Sequence, residues 1–259
     1  MPVRLSQINI FPLKSFDSTV QNEMRVLPAG CLENDRRFAL FDAAGKVVNG
    51  KRTPLVHALD IAFNDDHTEI TIGEPARSRV EVHPLPGGIE RVNKRFSEHF
   101  GFPVILRENR QSGFPDDTLS HGPTIIAAET LRTVADWFGI SFDDARERFR
   151  ANLIIEGGGP FWDDHLFSDP GATVTFRIGD VLFFGVNPCA RCVVPTRDAR
   201  SGEGIPGFVN TFTARRRKML PAWARSEAFD HFYRMAVNTR LYVPTEGGVI
   251  RVGDAVEIL

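Results

Sequence analysis

The chain has 259 residues, 42% of them hydrophobic, and 31 lysines and arginines against 33 aspartates and glutamates leave a formal net charge of -2. That length buries a substantial core without disulfides or a structural metal. The near balance of charge excludes a global attraction to nucleic acid or to an anionic membrane, so any anion must be bound locally.

Cys31, Cys189 and Cys192 are too few and too unevenly spaced for a secreted disulfide scaffold. The first residues, MPVRLSQINIFPLKSF, lack an apolar signal region, and no stretch approaches the roughly 20 apolar residues of a spanning helix. A cytoplasmic enzyme or binding protein with no membrane association is expected.

In chain order, short apolar or alternating runs bounded by Gly, Pro or Asp predict strands at 3–10, 37–41, 69–72, 80–83, 104–106, 173–177, 181–185, 249–252 and 255–259. Residues 41–48 read as a hairpin, with Asp42 and Gly45 supplying the turn. The clearest helix is 127–138, where Ile126, Leu131, Val134, Ala135 and Phe138 form one stripe and Gly139 supplies the stop. A second helix is expected at 227–237, and weaker helical spacing occurs at 93–100 and 142–149. Such helices decorate a sheet or barrel, so the class is mainly β (α+β) rather than a doubly wound nucleotide fold. The polar stretch 108–120 reads as a linker between units 1–110 and 111–259. The basic run at 215–218 reads as a solvated surface loop, with phosphate contact the second reading.

The chemistry concentrates in NPCARCVVPTRDARSGE (187–203). Cys189 and Cys192 follow a predicted strand and the turn signal Asn187-Pro188, which places both thiols on a loop at a strand end. A closed zinc site needs four ligands; one CxxC supplies two, and Cys31 lies far upstream. A thioredoxin-like pair belongs at a helix N-terminus, which Pro195 and the polar residues after it disfavour. Two small residues packed in a loop is the non-catalytic reading. Arg191 weakens it, because a cation favours thiolate. A thiolate also suits a heavy transition metal, with Thr196, Asp198 and the Ser201-Gly202 turn able to orient the loop.

This block resembles the MOSC family, the molybdenum cofactor sulfurase C-terminal domain. It is most similar to the amidoxime-reducing members, whose pattern is C-x-R-C-x-x-(P/T)-T-x-D-P-x-(T/S)-G; Ala199 stands where proline is usual. IFPLKS (10–15) is similar to the first-strand signature of the MOSC N-terminal β-barrel domain, and DRRF (35–38) to its DRxW/F strand. LSHGPTII (119–126) with Glu129-Thr-Leu131 resembles the family's phosphate-holding turn and helix start, with His121 and Gly122 in place of frequent hydroxyl residues. FRAN (149–152) resembles the FRxN strand. Asp163 and Asp164 match an acidic pair, although Leu166 replaces a usual tryptophan. VGDAV (252–256) resembles the closing VGDxV strand. The blocks arrive in family order and cover nearly the whole chain.

The resemblance implies a MOSC β-barrel, an N-terminal β-barrel-like domain, a few peripheral helices and a bound molybdenum cofactor (molybdopterin). It assigns Lys14, Ser15, Arg36, His121, Gly122, Arg150, Asn152 and Thr196 to the cofactor and Cys192 to the molybdenum. Asp198 is expected to stiffen the loop, with proton donation as its second role. The implied activity is reduction of small N-hydroxylated or N-oxide substrates. No four-cysteine cluster is present and nothing follows Leu259, so the electrons are expected from an external flavin or iron–sulfur donor. A sulfur carrier with a persulfide on Cys192 or Cys189, and a non-catalytic cofactor-binding module, are the alternatives. Pyridoxal phosphate is not expected, because the lyase domain of the sulfurases is not recognisable in the chain.

Overall fold

A computed structural model of the chain describes residues 2–242 and 247–259. The strand β1 (Arg4–Ile10) buries Leu5, Ile8 and Ile10, and β2 (Thr19–Gln21) folds back antiparallel upon it. After β3 (Glu23–Val26) comes β4 (Phe38–Asp42), whose first four residues are all buried, as in a strand covered on both faces. The expected hairpin follows: Asp42 Oδ1 accepts from the amides of Ala44 and Lys46 at 3.0 and 2.8 Å, closing the turn.

Strands β5 (Asp60–Phe63), β6 (Glu69–Glu74) and β7 (Arg79–Pro84) make a small antiparallel sheet. Helix α1 (Ile89–Phe100) ends at Gly101, whose φ of 76° supplies the left-handed C-cap. Next, β8 (Val104–Glu108) pairs with β4. Val92, Phe96 and Phe100 of α1 share a core with Leu13, Phe16, Leu40 and Ile70.

The second half contributes β9 (Ile125–Ala127), α2 (Ala128–Phe138), α3 (Phe142–Phe149), β10 (Leu153–Glu156), β11 (Val174–Ile178) and β12 (Val181–Ala190). It continues with α4 (Phe208–Lys218), β13 (Arg234–Leu241), β14 (Gly248–Arg251) and β15 (Val256–Ile258). Eight strands form one sheet in the order β15-β11-β12-β13-β9-β10-β1-β2, so β1 and β2 complete a sheet built mostly by the second half. The sheet curls until Arg4 bridges Ala255 and the Leu5 amide donates to Asp254, without closing a full ladder. Its interior is one apolar core, and a second core lies beneath α2, α3 and α4. β14 pairs with β3, a further link across residue 110. The molecule is therefore mainly β with peripheral helices. Among the described residues no helix is long and apolar enough to cross a membrane.

Three local expectations are corrected. The segment expected as a helix at 227–237 holds one short turn, and from Arg234 onward it is β13, a central strand. Met235, Ala236 and Val237 are consecutively buried, so both faces are covered and no alternation shows. The basic run 215–218 is the last turn of α4 rather than a loop, and Arg216 within it is 1% exposed. A single guanidinium nitrogen, Nη2, donates to both carboxylate oxygens of Asp164 at 2.7 and 2.5 Å. Finally, β12 does not stop at Gly185. It continues through two register shifts to Ala190, so Cys189 lies on the strand and only Cys192 on the turn beyond it.

Candidate functional site

A cavity of about 1260 Å³ opens between the end of β1, the 112–124 segment, the C-terminal end of α3, the cysteine block and residues 49–60. Its wall carries ten lysines and arginines against six carboxylates, a positive surplus within a chain of net charge -2. Lys14, Ser15, Arg36, His121, Gly122, Arg150, Asn152 and Cys192 all line it. Thr196 and Asp198 do not. The Thr196 hydroxyl donates to the Val193 carbonyl at 2.7 Å, and Asp198 Oδ1 accepts from the Arg200 and Ser201 amides.

Three of the lining residues, Ser15, Arg36 and Arg150, hold left-handed backbone with φ of 80°, 50° and 52°. Non-glycine residues in that region are strained, and such strain collects where the surroundings over-determine a side chain's direction. Arg36 and Arg150 flank the Phe11 ring, at 5.4 and 4.2 Å from its centroid. Arg36 is paired with Asp35 and lies 3.4 Å from Asn152 Oδ1. Arg150 donates to the Phe16 carbonyl, but among the described residues no carboxylate forms an ion pair with it. Burial and the neighbouring Arg36 lower its pKa to about 10. Lys14 is tied down by Asp116 at 2.9 Å and by the carbonyls of Phe114 and Pro115, and burial lowers its pKa.

Asn152 is 1% exposed and knits the floor together. Its Oδ1 accepts from the Thr124 amide and hydroxyl, and its Nδ2 donates to the Asn9 carbonyl at 3.1 Å. The expected anion-holding turn at 121–131 is built differently. The Gly122 amide already donates to the Thr239 carbonyl at 2.9 Å, and a Cβ at Gly122 would lie 2.3 Å from Thr239 Oγ1. This glycine serves close approach to β13, and its amide is spent. At the start of α2 a carboxylate is already seated: buried Asp163 accepts from the Ala127 amide and the Thr130 hydroxyl at 3.1 and 2.7 Å. Leu166 is fully buried in the sheet core, and its carbonyl presses on Gly185 outside the cavity wall.

At the thiol end, Cys192 Sγ accepts from the Val194 amide at 3.4 Å, and its carbonyl accepts from the Tyr233 hydroxyl at 3.1 Å. Arg191 Nη1 reaches Cys189 Sγ at 3.4 Å. Cys31, distant in sequence, joins the same wall, and burial together with Asp35 pushes its thiol up to about 11. Among the described residues no three His, Cys, Asp or Glu side chains converge as a metal-ligand set. Several wall residues escaped sequence reading. Asp116 sits in the stretch taken for a linker, and Arg148 in the charged run RERFR. His57, whose Nδ1 lies 3.0 Å from the Ala199 carbonyl, comes from a region with no motif. The one available signal was the i,i+4 spacing of Asp144 and Arg148 on α3.

Sequence comparison agrees with this architecture. The MOSC N-terminal beta barrel domain matches residues 2–99, and the MOSC domain matches residues 123–257, more than half of the chain. The chain belongs to the MOSC family. Among curated relatives, a molybdenum cofactor sulfurase of Drosophila mojavensis is 40% identical over 242 residues, covering 80% of this MOSC chain and 30% of its own length. That of Drosophila melanogaster is 24% identical over 243 residues, covering 81% and 30%. The chain thus spans about 30% of the length of these relatives. Among solved structures, the YUAD protein from Bacillus subtilis aligns over 100% of this chain and 96% of its own with a TM-score of 0.43 and 11% identity.

Proposed function

We propose that this MOSC protein binds a molybdenum cofactor in the cavity and acts as a reductase of small N-hydroxylated or N-oxide compounds, drawing electrons from an external flavin or iron–sulfur donor. The observation that carries the reading is Arg150. A half-buried guanidinium beside a second one, with no carboxylate ion-paired to it among the described residues, is an unfavourable arrangement until an anion arrives. The donor set fits the group: Arg150, Arg36 and Lys14 would hold its phosphate, and the Cys192 thiolate is a soft ligand for its metal. When bound, such a cofactor supplies two-electron oxygen-atom exchange.

The chain's own residues set the geometry around it. Asn152 fixes the position of Arg36, and Phe11 keeps both guanidinium planes in place. Asp198 braces the loop through backbone amides, which favours the structural role over proton donation. Metal analysis of protein purified from a cofactor-competent host tests the reading, together with reduction assays using a chemical electron donor. Molybdenum and activity are expected in wild type and absent from Cys192→Ala, with Asp198→Asn retaining its metal. A metal-free wild type, or a fully active Cys192→Ala, overturns it.

A second reading, sulfur transfer through a persulfide, draws on the curated relatives named as sulfurases and on the three cysteines sharing one cavity wall. Mass spectrometry of intact thiols separates the two. A persulfide on Cys192 or Cys189 in molybdenum-free protein selects the carrier.

A further inference from the structure

We propose that Arg148 is the positioning residue of the cysteine loop, docking it onto the same helical turn that presents Arg150 to the cavity. The Arg148 side chain on α3 is 4% exposed. Its Nε donates to Asp144 Oδ1 at 2.7 Å, one turn earlier on the helix, and its Nη2 meets Asp198 Oδ2 at 3.4 Å. Nη1 is buried without a hydrogen-bond partner among the described residues. Asp198 in turn organises the loop from within. Its Oδ1 accepts from the amides of Arg200 and Ser201 at 3.0 and 2.7 Å, its amide donates to Glu203 at 2.7 Å, and its carbonyl accepts from Gly202 at 3.0 Å. The loop is stiff inside, so what is left to decide is where it attaches. Arg197 Nη1 ties it to the Gly50 carbonyl at 2.7 Å and His57 Nδ1 meets the Ala199 carbonyl at 3.0 Å, while Arg148 is the side chain that joins Asp198 to α3.

On the other side of Cys192, Arg191 makes the matching contact. Its Nη2 donates to the Phe149 carbonyl, and its guanidinium lies 5.5 Å from the centre of the Phe149 ring. Cys192 is thus bracketed by two attachments to consecutive residues of α3, Arg148 and Phe149. The next residue, Arg150, faces the phosphate end of the cavity. A displacement of this one turn moves the thiol end and the phosphate end together. Arginine suits the position because its planar fork spans two carboxylates, where a lysine offers a single point charge.

The inference rests on Cys192 being the cofactor-facing thiol, but its test needs no cofactor. Full-length cofactor-free protein is alkylated with iodoacetamide and read by tryptic mass spectrometry, where cleavage after Arg191 separates Cys189 from Cys192. Arg148→Ala is expected to accelerate alkylation of Cys192 about tenfold, the scale of one lost charge-assisted hydrogen bond, with Arg148→Lys in between and buried Cys31 unchanged. Asp198→Asn keeps an oxygen for the loop amides while removing the charge that faces Arg148. It should give the same acceleration, and the double variant no more than either single one. If Arg148→Ala unfolds, shown by Cys31 reacting as fast as Cys192, Asp198→Asn carries the test alone. An unchanged Cys192 rate in the folded variants, or rates that multiply in the double variant, overturns the proposal. Molybdenum content of wild type reads the cofactor assignment separately: accelerated variants of a protein that never takes up metal would retain this inference and sink that one.

Discussion

Arg150 and Lys14 show how two cations in one wall differ. Lys14 already has its counter-ion in Asp116, whereas Arg150 among the described residues meets a carbonyl and an aromatic face but no ion-paired carboxylate. Replacing Arg150 by Gln should therefore keep the melting temperature of the cofactor-free protein within about 3 °C of wild type, the shift of roughly 1 kcal/mol in a chain of this size. Cofactor retention should fall at least about tenfold, as for loss of a charged hydrogen-bond partner. Calorimetry and metal analysis read the two effects separately, and a large loss of apo stability would contradict the account. Asp116 is largely exposed, with its side chain at 58%, and Lys14 and then Lys51 hold its carboxyl below the usual range, an effect that solvent screens in part. Because the folded value is the lower one, this contribution is complete above the ordinary aspartate pKa of about 4 and is lost as pH falls through the folded value. Urea denaturation from pH 6 down to pH 2 should show a shallower acid limb in Asp116→Asn.

At the scale of elements, α4 and the loop before β11 are joined by the buried Arg216–Asp164 pair, with Phe161 and Phe229 stacked on the guanidinium at 4.2 and 5.0 Å. Removing one partner strands the other charge in the interior, so Arg216→Ala should cost about 3–5 kcal/mol in denaturant unfolding. Phe208, Phe212 and Arg216 are the buried face of α4, four residues apart. A stripe whose third member is charged does not register as apolar, and for that reason the run 215–218 reads as solvated in sequence. β13 was hidden by the opposite cause, unbroken burial. Gly122 belongs to the same strand's packing, and Gly122→Ala should cost about 1–3 kcal/mol through collision with Thr239. A thermal scan suffices to check it.

For the molecule as a whole, β1 and β2 complete the eight-stranded sheet and β14 closes on β3. A division at residue 110 therefore cuts the hydrogen-bond network of the larger sheet. Residues 111–259 expressed alone should lack native near-ultraviolet dichroism and recover it when 1–110 is co-expressed. Limited proteolysis within 109–120 of the intact protein should leave two fragments that stay associated on a sizing column. A stably folded 111–259 fragment would show that the second half carries a sufficient core by itself.

The sequence by itself determined the mainly β class, the order of most strands, the α2 stripe and the family blocks, because these rest on local periodicity and on contiguous residues. It also supplied eight side chains or backbone positions that share the cavity wall. Only tertiary structure decided what those groups meet across distances of a hundred residues: Lys14 with Asp116, Arg150 beside Arg36, and Cys31 on the wall with Cys192. It likewise decided that the Gly122 and Ala127 amides already donate to Thr239 and Asp163. A hydrogen-bond donor is free or spent according to its neighbours in space, and periodicity along the chain carries no record of them.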